Sequence, residues 1–493
     1  MQGVEKQLKM VRVTSVEDAL TILKRAVARG EYVPKEVIAR LGATTTLDLG
    51  HGDLGAKRAK MLASAIASMP ALTSLILANN PLEAAGVEIL ARAFPKLPSL
   101  TTIDLSYNEL RNEGAAILGS RLPSLPALSH LLLTCNAIRD DGAKALARGI
   151  ASLVFLEAFA TLELTGNRIG SAGAGALAEV VPDLVGLRSL GLGGGFIGPA
   201  GSAVLVDALP RAIALESLNL QGNRSGPDSA RRAVELSSPR LAALDLGGNK
   251  LCDEGQQDDA FRKRARRTRH VYREPENDLI GLAGALSLKT SLTELSLANN
   301  ALRDDFIAAV SHFGTLRALN LSLNLLARFD PMLLDLPHLT ALDVSFNGIS
   351  ELPESIGRSA LARGLRKLDL RRNNLAALPR SVALLPRDCT LCVVANPLRD
   401  PPLAVSVHGV DAISSYFRSQ PESKEDVHRP PPPPVHFFSP PPGLSHHYRP
   451  SSIDAADLAV PPLSAFGTNS ARRAADARQD SHSVDTLDSE SPS

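Results

Sequence analysis

The stretch IDLSYNEL, Ile103 to Leu110, alternates apolar and polar side chains as a strand does and then stops on an asparagine, Asn108. An asparagine is expensive to bury unless its amide is bonded. Moving along the chain, the pattern returns as LILANNPL (Leu75 to Leu82), LLLTCNAI (Leu131 to Ile138), LELTGNRI (Leu162 to Ile169) and LNLQGNRS (Leu218 to Ser225). It continues as LDLGGNKL (Leu244 to Leu251), LSLANNAL (Leu295 to Leu302), LNLSLNLL (Leu319 to Leu326), LDVSFNGI (Leu342 to Ile349) and LDLRRNNL (Leu368 to Leu375). The asparagine belongs to a period.

Asparagines stand at 80, 108, 136, 167, 223, 249, 300, 324, 347, 373 and 396, with Gly52 and Gly195 in the same column. From Gly52 the spacings run 28, 28, 28, 31, 28, 28 and 26, then a gap of 51, then 24, 23, 26 and 23. A period of this length means one strand and one return segment per coil. Each coil must turn inward after its strand, which leaves backbone N–H and C=O groups at the bend without partners. An amide carries two donors and an acceptor, so amides stacked coil on coil can satisfy those bends while leucines such as Leu75, Leu77 and Leu82 fill the core. The repeat resembles the leucine-rich repeat family over about residues 45–400. The resemblance implies an α/β solenoid, a horseshoe with a parallel concave sheet and convex helices.

Two subclasses are expected within it. In residues 45–255, glycine recurs six residues past the ladder position, at Gly86, Gly114, Gly142, Gly173, Gly201 and Gly255. Leucine follows four further on at Leu90, Leu118, Leu146, Leu177 and Leu205. This resembles ribonuclease-inhibitor-like repeats, as in NOD-like receptors and the Ran GTPase activator. In residues 281–396 the coil shortens, and the Leu-Pro steps of ELPESIG and LAALPRSV disfavour a full helix. That half resembles typical or plant-intracellular repeats of Ras-group and Roco-type proteins. Between them, 256–280 is either a basic insert or a degenerate coil, in which Tyr272 and Glu274 would take core positions.

Residues 1–44 are expected to form an N-terminal helical cap, with a Thr14/Glu17 capping box and a stop at Gly30. Residues 397–420 resemble a C-terminal cap with Val410, Ile413 and Phe417 facing inward. Residues 421–493 read as a disordered proline-rich tail. Within it Arg429, Pro430, Pro431, Pro432, Pro433 and Pro434 form a polyproline run suited to a proline-recognising domain.

Composition narrows the function classes. The 493 residues carry 53 basic and 52 acidic side chains, a formal charge of +1, so no global field draws nucleic acid or an anionic membrane. No export signal or membrane span is expected, and four cysteines suit a reducing compartment, which points to the cytoplasm. The strongest local charge feature is RKRARRTRH, Arg262 to His270, which reads either as a solvated loop or as a contact for nucleic acid, phospholipid or an import receptor.

No catalytic, cofactor or metal motif emerges, and the Cys389/Cys392 pair lacks the further ligands a zinc site needs. The central strand residues project onto the concave face. Their column reads Asp48, Ile76, Asp104, Leu132, Glu163, Gly191, Asn219, Asp245, Ser296, Asn320, Asp343 and Asp369, with six acidic members and no basic one. Asp48, Asp104, Glu163, Asn219, Asp245, Asn320, Asp343 and Asp369 are therefore the candidate protein-binding residues. The expectation is a non-enzymatic scaffold for a protein partner, with a small GTPase or another signalling protein as the partner class implied by the resemblance. The alternative, a GTPase activator like that of Ran, would use Arg111 or Arg139, each three residues past a ladder asparagine.

Overall fold

A computed structural model describes residues 15–154, 156–252, 275–310 and 314–420, with the side chains of 275–278 and 308–310 left aside. The run Arg262 to His270, Gly255, Tyr272, Glu274, Thr14 and the tail motif Arg429 to Pro434 lie outside the described residues.

The alternating leucines produce thirteen three-residue strands among the described residues, from β1 (Thr46–Asp48) to β13 (Thr390–Cys392), numbered in chain order. All pair in parallel with their sequence neighbours, in the order β1 to β13. The register holds like positions opposite each other, so Leu75 pairs with Ile103 and Ile103 with Leu131. Those middle residues turn inward and are buried, while the residues on either side face the concave surface.

The asparagine ladder sits directly behind the strands. Asn136 donates from Nδ2 to the Leu105 carbonyl at 2.8 Å, and its Oδ1 accepts the N–H groups of Asn108 at 3.0 Å and Leu110 at 3.3 Å. Asn300, Asn324, Asn347, Asn373 and Asn396 each donate in the same way to the coil before them. The first coil has no predecessor to bond, and its ladder position is Gly52. At Gly195 a backbone bridge replaces the amide: Phe196 N–H donates to the Ile169 carbonyl at 2.8 Å.

One constraint escaped the sequence reading. The residue before each ladder position is left-handed, with φ between 53° and 74° at His51, Asn79, Tyr107, Cys135, Gly166, Gly194, Gly222, Gly248, Asn299, Leu323, Phe346, Arg372 and Ala395. This single residue swings the chain inward so that the amide meets the preceding coil. Non-glycine residues tolerate such a conformation only where the surroundings over-determine it.

The convex side changes along the array. Helices such as Ala56–Ile66, Arg111–Arg121, Asp140–Ile150 and Gly226–Leu236 line the first coils. Short 3-10 turns, Pro331–Asp335, Ile356–Arg358 and Arg380–Leu384, line the last. Adjacent helices approach closely where both carry glycine: a Cβ on Gly149 would lie 2.2 Å from the Gly119 carbonyl oxygen.

The break in the period is bridged without a coil of its own. Strand β8 (Ala243–Asp245) pairs directly with β9 (Glu294–Ser296), and the Asn249 N–H donates to Asn300 Oδ1 at 2.8 Å. The convex helix of this coil is Pro275–Ser287, which starts inside the stretch 256–280 that the sequence sets apart. Among the described residues no strand lies between β8 and β9.

The first helix among the described residues, Val16–Arg29, is capped by Ser15 and Asp18, one residue later than the Thr14/Glu17 box expected from sequence. Both bonds of the box are present, Asp18 N–H to Ser15 Oγ at 3.0 Å and Ser15 N–H to Asp18 Oδ2 at 3.1 Å. The helix stops at Gly30, whose φ is 69°. At the other end, Val410, Ile413 and Phe417 of the helix Val410–Ser419 are buried against the last coil.

Removing the amide of Asn136 strands two buried N–H groups and one carbonyl. Asn136→Ala is expected to lower unfolding free energy by about 1–3 kcal/mol. Arg139→Ala, at an exposed side chain one turn away, should stay within about 0.5 kcal/mol. Urea midpoints of the two variants check this, and equal midpoints would remove the ladder from the account of stability.

Candidate functional site

The concave face is built from the first and third residues of each strand and the second residue past its end, since the residue between is a buried leucine such as Leu77 or Leu105. The register brings Asp48, Ile76, Asp104, Leu132 and Glu163 into one row, and Asn219, Asp245, Asn320, Asp343 and Asp369 continue it. The row expected from sequence is therefore a row in space.

What its polar members do is a different matter. Each accepts the backbone N–H two residues ahead, where the chain leaves the ladder of strand hydrogen bonds. Asp48 accepts from Gly50, Asp104 from Ser106, Glu163 from Thr165, Asn219 from Gln221 and Asp245 from Gly247, all at 2.9 Å. Asn320 accepts from Ser322 at 3.0 Å, Asp343 from Ser345 at 2.9 Å and Asp369 from Arg371 at 3.2 Å. A short polar side chain that caps its own turn is the usual reason for Asp and Asn at such a bend. The acidic bias of the column has this local cause.

Burial then divides the row. Asp48 is exposed, and Ile76, Asp104, Leu132 and Glu163 are partly exposed. Asp245, Asn320 and Asp369 are buried, so these three present little to a partner. Through the middle coils the face is low: Gly191, Gly193 and Gly247 carry no side chain, and the Glu163 carboxylate lies over Gly191, about 2 Å from where a Cβ would stand. The tall, accessible part is the first five coils, where carboxylates alternate with apolar residues. Tyr107 adds an exposed ring beside this row and hydrogen-bonds Cys135, which pushes its phenol upward.

Towards the other end Asp369 is held by the Arg371 guanidinium at 2.8 Å, and the Arg372 guanidinium lies 5.1 Å from the Phe346 ring centre. Burial raises the carboxyls of Asp245, Asp343 and Glu294. At Asp343 the neighbouring charge of Asp369 adds to the rise, and the Ser345 hydrogen bonds oppose it. Cys389 is buried and its thiol is raised to about 11, so neither thiolate chemistry nor easy metal binding is available to it at neutral pH. Among the described residues no cluster of His, Cys, Asp and Glu is arranged to hold a metal, and no helix is long and apolar enough to cross a membrane.

Arg111 and Arg139 are both exposed, at the entrances to the helices Arg111–Arg121 and Asp140–Ile150. The Arg111 guanidinium lies 3.5 Å from Glu109.

Models of the family "Leucine rich repeat" match residues 290–349 and, separately, residues 96–118, 125–147 and 160–178. The chain is a leucine-rich repeat protein. Among solved structures, a leucine-rich repeat protein of Leptospira interrogans is 19% identical, with 74% of this chain and 93% of that one covered at a TM-score of 0.40. An internalin of Listeria monocytogenes is 16% identical, covering 79% and 92%, at a TM-score of 0.39. No curated protein matches the sequence.

The buried carboxyl of Asp245 gives this repeat array a specific pH dependence. Its pKa in the folded protein lies above the unfolded value, so the folded state holds the proton longer. Stability is fully present below the unfolded pKa and falls as pH rises through the folded one. Asn219 and Asn320 show that an amide oxygen can make the same turn-capping bond. Asp245→Asn is therefore expected to stabilise the protein at neutral pH by about 1 kcal/mol, because it removes a desolvated charge. The gain should shrink on acidification. Melting curves at several pH values read it, and a variant less stable than wild type at neutral pH would show that the charge is compensated in the fold.

Proposed function

We propose that this protein is a non-enzymatic scaffold that binds a protein partner on the concave face of its first five coils. The observation that carries this reading is the alternating row Asp48, Ile76, Asp104, Leu132 and Glu163. After each carboxylate has capped its own turn it retains acceptor capacity and negative charge, and Ile76 and Leu132 offer apolar contacts between the charges. Exposed apolar side chains bracketed by charge are the usual composition of a recognition surface. A partner segment that alternates basic and apolar residues at the coil spacing, about 5 Å, complements it. Parallel strands in register hold these side chains without an ordering cost on binding, which is what makes a repeat array useful as a rigid platform. The family supports the scaffold class, and a signalling partner in the cytoplasm is the setting we favour.

Affinity capture from native lysate with the full chain and with an Ile76→Asp/Leu132→Asp variant tests the face. Both positions are partly exposed, so the variant should fold and lose its partner by about tenfold or more in affinity, the scale of a disrupted interface centre. Retention of the same proteins by the variant would move the site elsewhere. If a captured small GTPase hydrolysed GTP faster in the presence of the protein, and Arg111→Ala or Arg139→Ala abolished the gain, an activator function would replace the scaffold.

A further inference from the structure

A second surface lies away from the concave face, where three successive coils leave a cleft of about 580 Å³. Its floor is apolar, made by the buried Phe329 and Leu352 and by Pro331 and Pro353. Its rim is acidic: Asp304 and Asp305 at the first turn of the helix Asp304–Val310, Asp330 at the start of the turn Pro331–Asp335, and Glu351 on the following coil. Among the described residues Arg328 is the one basic lining residue, and it lies 3.5 Å from Asp304.

Two of these carboxylates serve the fold. Asp304 accepts the N–H groups of Ala327 at 2.9 Å and Arg328 at 3.2 Å, and Asp330 caps the N–H of Met332 at 2.8 Å. Asp305 and Glu351 are exposed and take no part in those bonds. The cleft thus carries a surplus of negative charge over an apolar floor, in a volume suited to a few side chains. Phosphates and nucleic acid are repelled by such a rim, and the carboxylates are not grouped as metal ligands.

We propose that this cleft is a docking site for a short basic segment of a partner protein, with one apolar side chain on the floor and arginines or lysines on either side reaching the rim. Charge complementarity selects the flanking residues, and the accessible Pro331 and Pro353, backed by the buried Phe329 and Leu352, select the residue between them. The occupant is independent of the concave-face partner, since the cleft draws on other residues.

The test uses the full chain and a fluorescein-labelled peptide of alternating arginine and leucine, read by anisotropy. Binding should weaken by about tenfold or more in Asp305→Lys/Glu351→Lys, be lost with glutamate in place of arginine, and be unaffected by Ile76→Asp/Leu132→Asp. If the charge-reversed chain melts early, Asp305→Asn/Glu351→Gln takes its place, with a smaller loss expected. Equal affinity of wild type and rim variants overturns the proposal. So does equal binding of a peptide with glycine in place of leucine, since the floor then selects nothing. A third result also overturns it: binding that appears only after Arg262, Lys263, Arg264, Arg266 and Arg267 are replaced by serine would make the chain's own basic run the occupant.

Discussion

The structure depends on one hydrogen-bonded device, the buried amide that ties each coil to the one before it. At most ladder positions its oxygen takes N–H groups from the preceding bend, though at Asn108 and Asn223 the oxygen has no partner, and its nitrogen gives to the carbonyl just past the preceding strand, so a single side chain satisfies backbone groups that water cannot reach. At Asn324 the oxygen holds the N–H groups of Asn300 and Leu302, both at 3.0 Å, and the nitrogen donates to the Leu297 carbonyl at 3.0 Å. Because the bonds by which the amide ties coils together point backward, the first coil needs no amide and glycine suffices at position 52. The last coil instead needs a lid. Its exposed end is met by the helix Val410–Ser419, which buries Ile413 and Phe417.

The ladder also explains why the period can be interrupted. The strand pairing and the amide bonds that join coils lie between the start of a strand and the residues just past the ladder position. The long gap opens only after Cys252, whose N–H still reaches the Asn300 carbonyl at 3.1 Å. Chain inserted beyond that point leaves the strand pairing and the amide bonds intact, and the array resumes with the helix Pro275–Ser287.

The fold was legible because its two strongest signals are periodic. Leucines at alternate positions and an asparagine at a fixed offset leave few other solutions, and the glycines at the helix entrances mark where convex helices press on their neighbours. The left-handed residue before each amide was not read. Its signal was present in Gly166, Gly194, Gly222 and Gly248, yet the same column holds Tyr107, Leu323 and Phe346, and composition alone does not show that a leucine is held at positive φ. The candidate site was legible in place and less so in role. Sequence put eight acidic and amide residues on one face, but it could not show that all eight cap the turn two residues ahead, because that bond depends on the geometry of the strand exit.

That last point bears on how binding surfaces arise on a repeat scaffold. The column nearest the centre of the concave face is constrained twice, once by the bend that wants a capping side chain and once by whatever partner the surface meets. Where a carboxylate is buried, as at Asp245 and Asp369, the first constraint takes the whole side chain. Where the capping residue is accessible, as at Asp48, Asp104 and Glu163, the second oxygen and the charge remain for a partner. Ile76 and Leu132, like Gly191 and Ser296, make no such cap, and the fold leaves these positions freer to vary. An apolar residue half exposed, as at Ile76 and Leu132, has no structural cause on the concave side, and it is at these two residues that the surface departs furthest from what stability alone would choose.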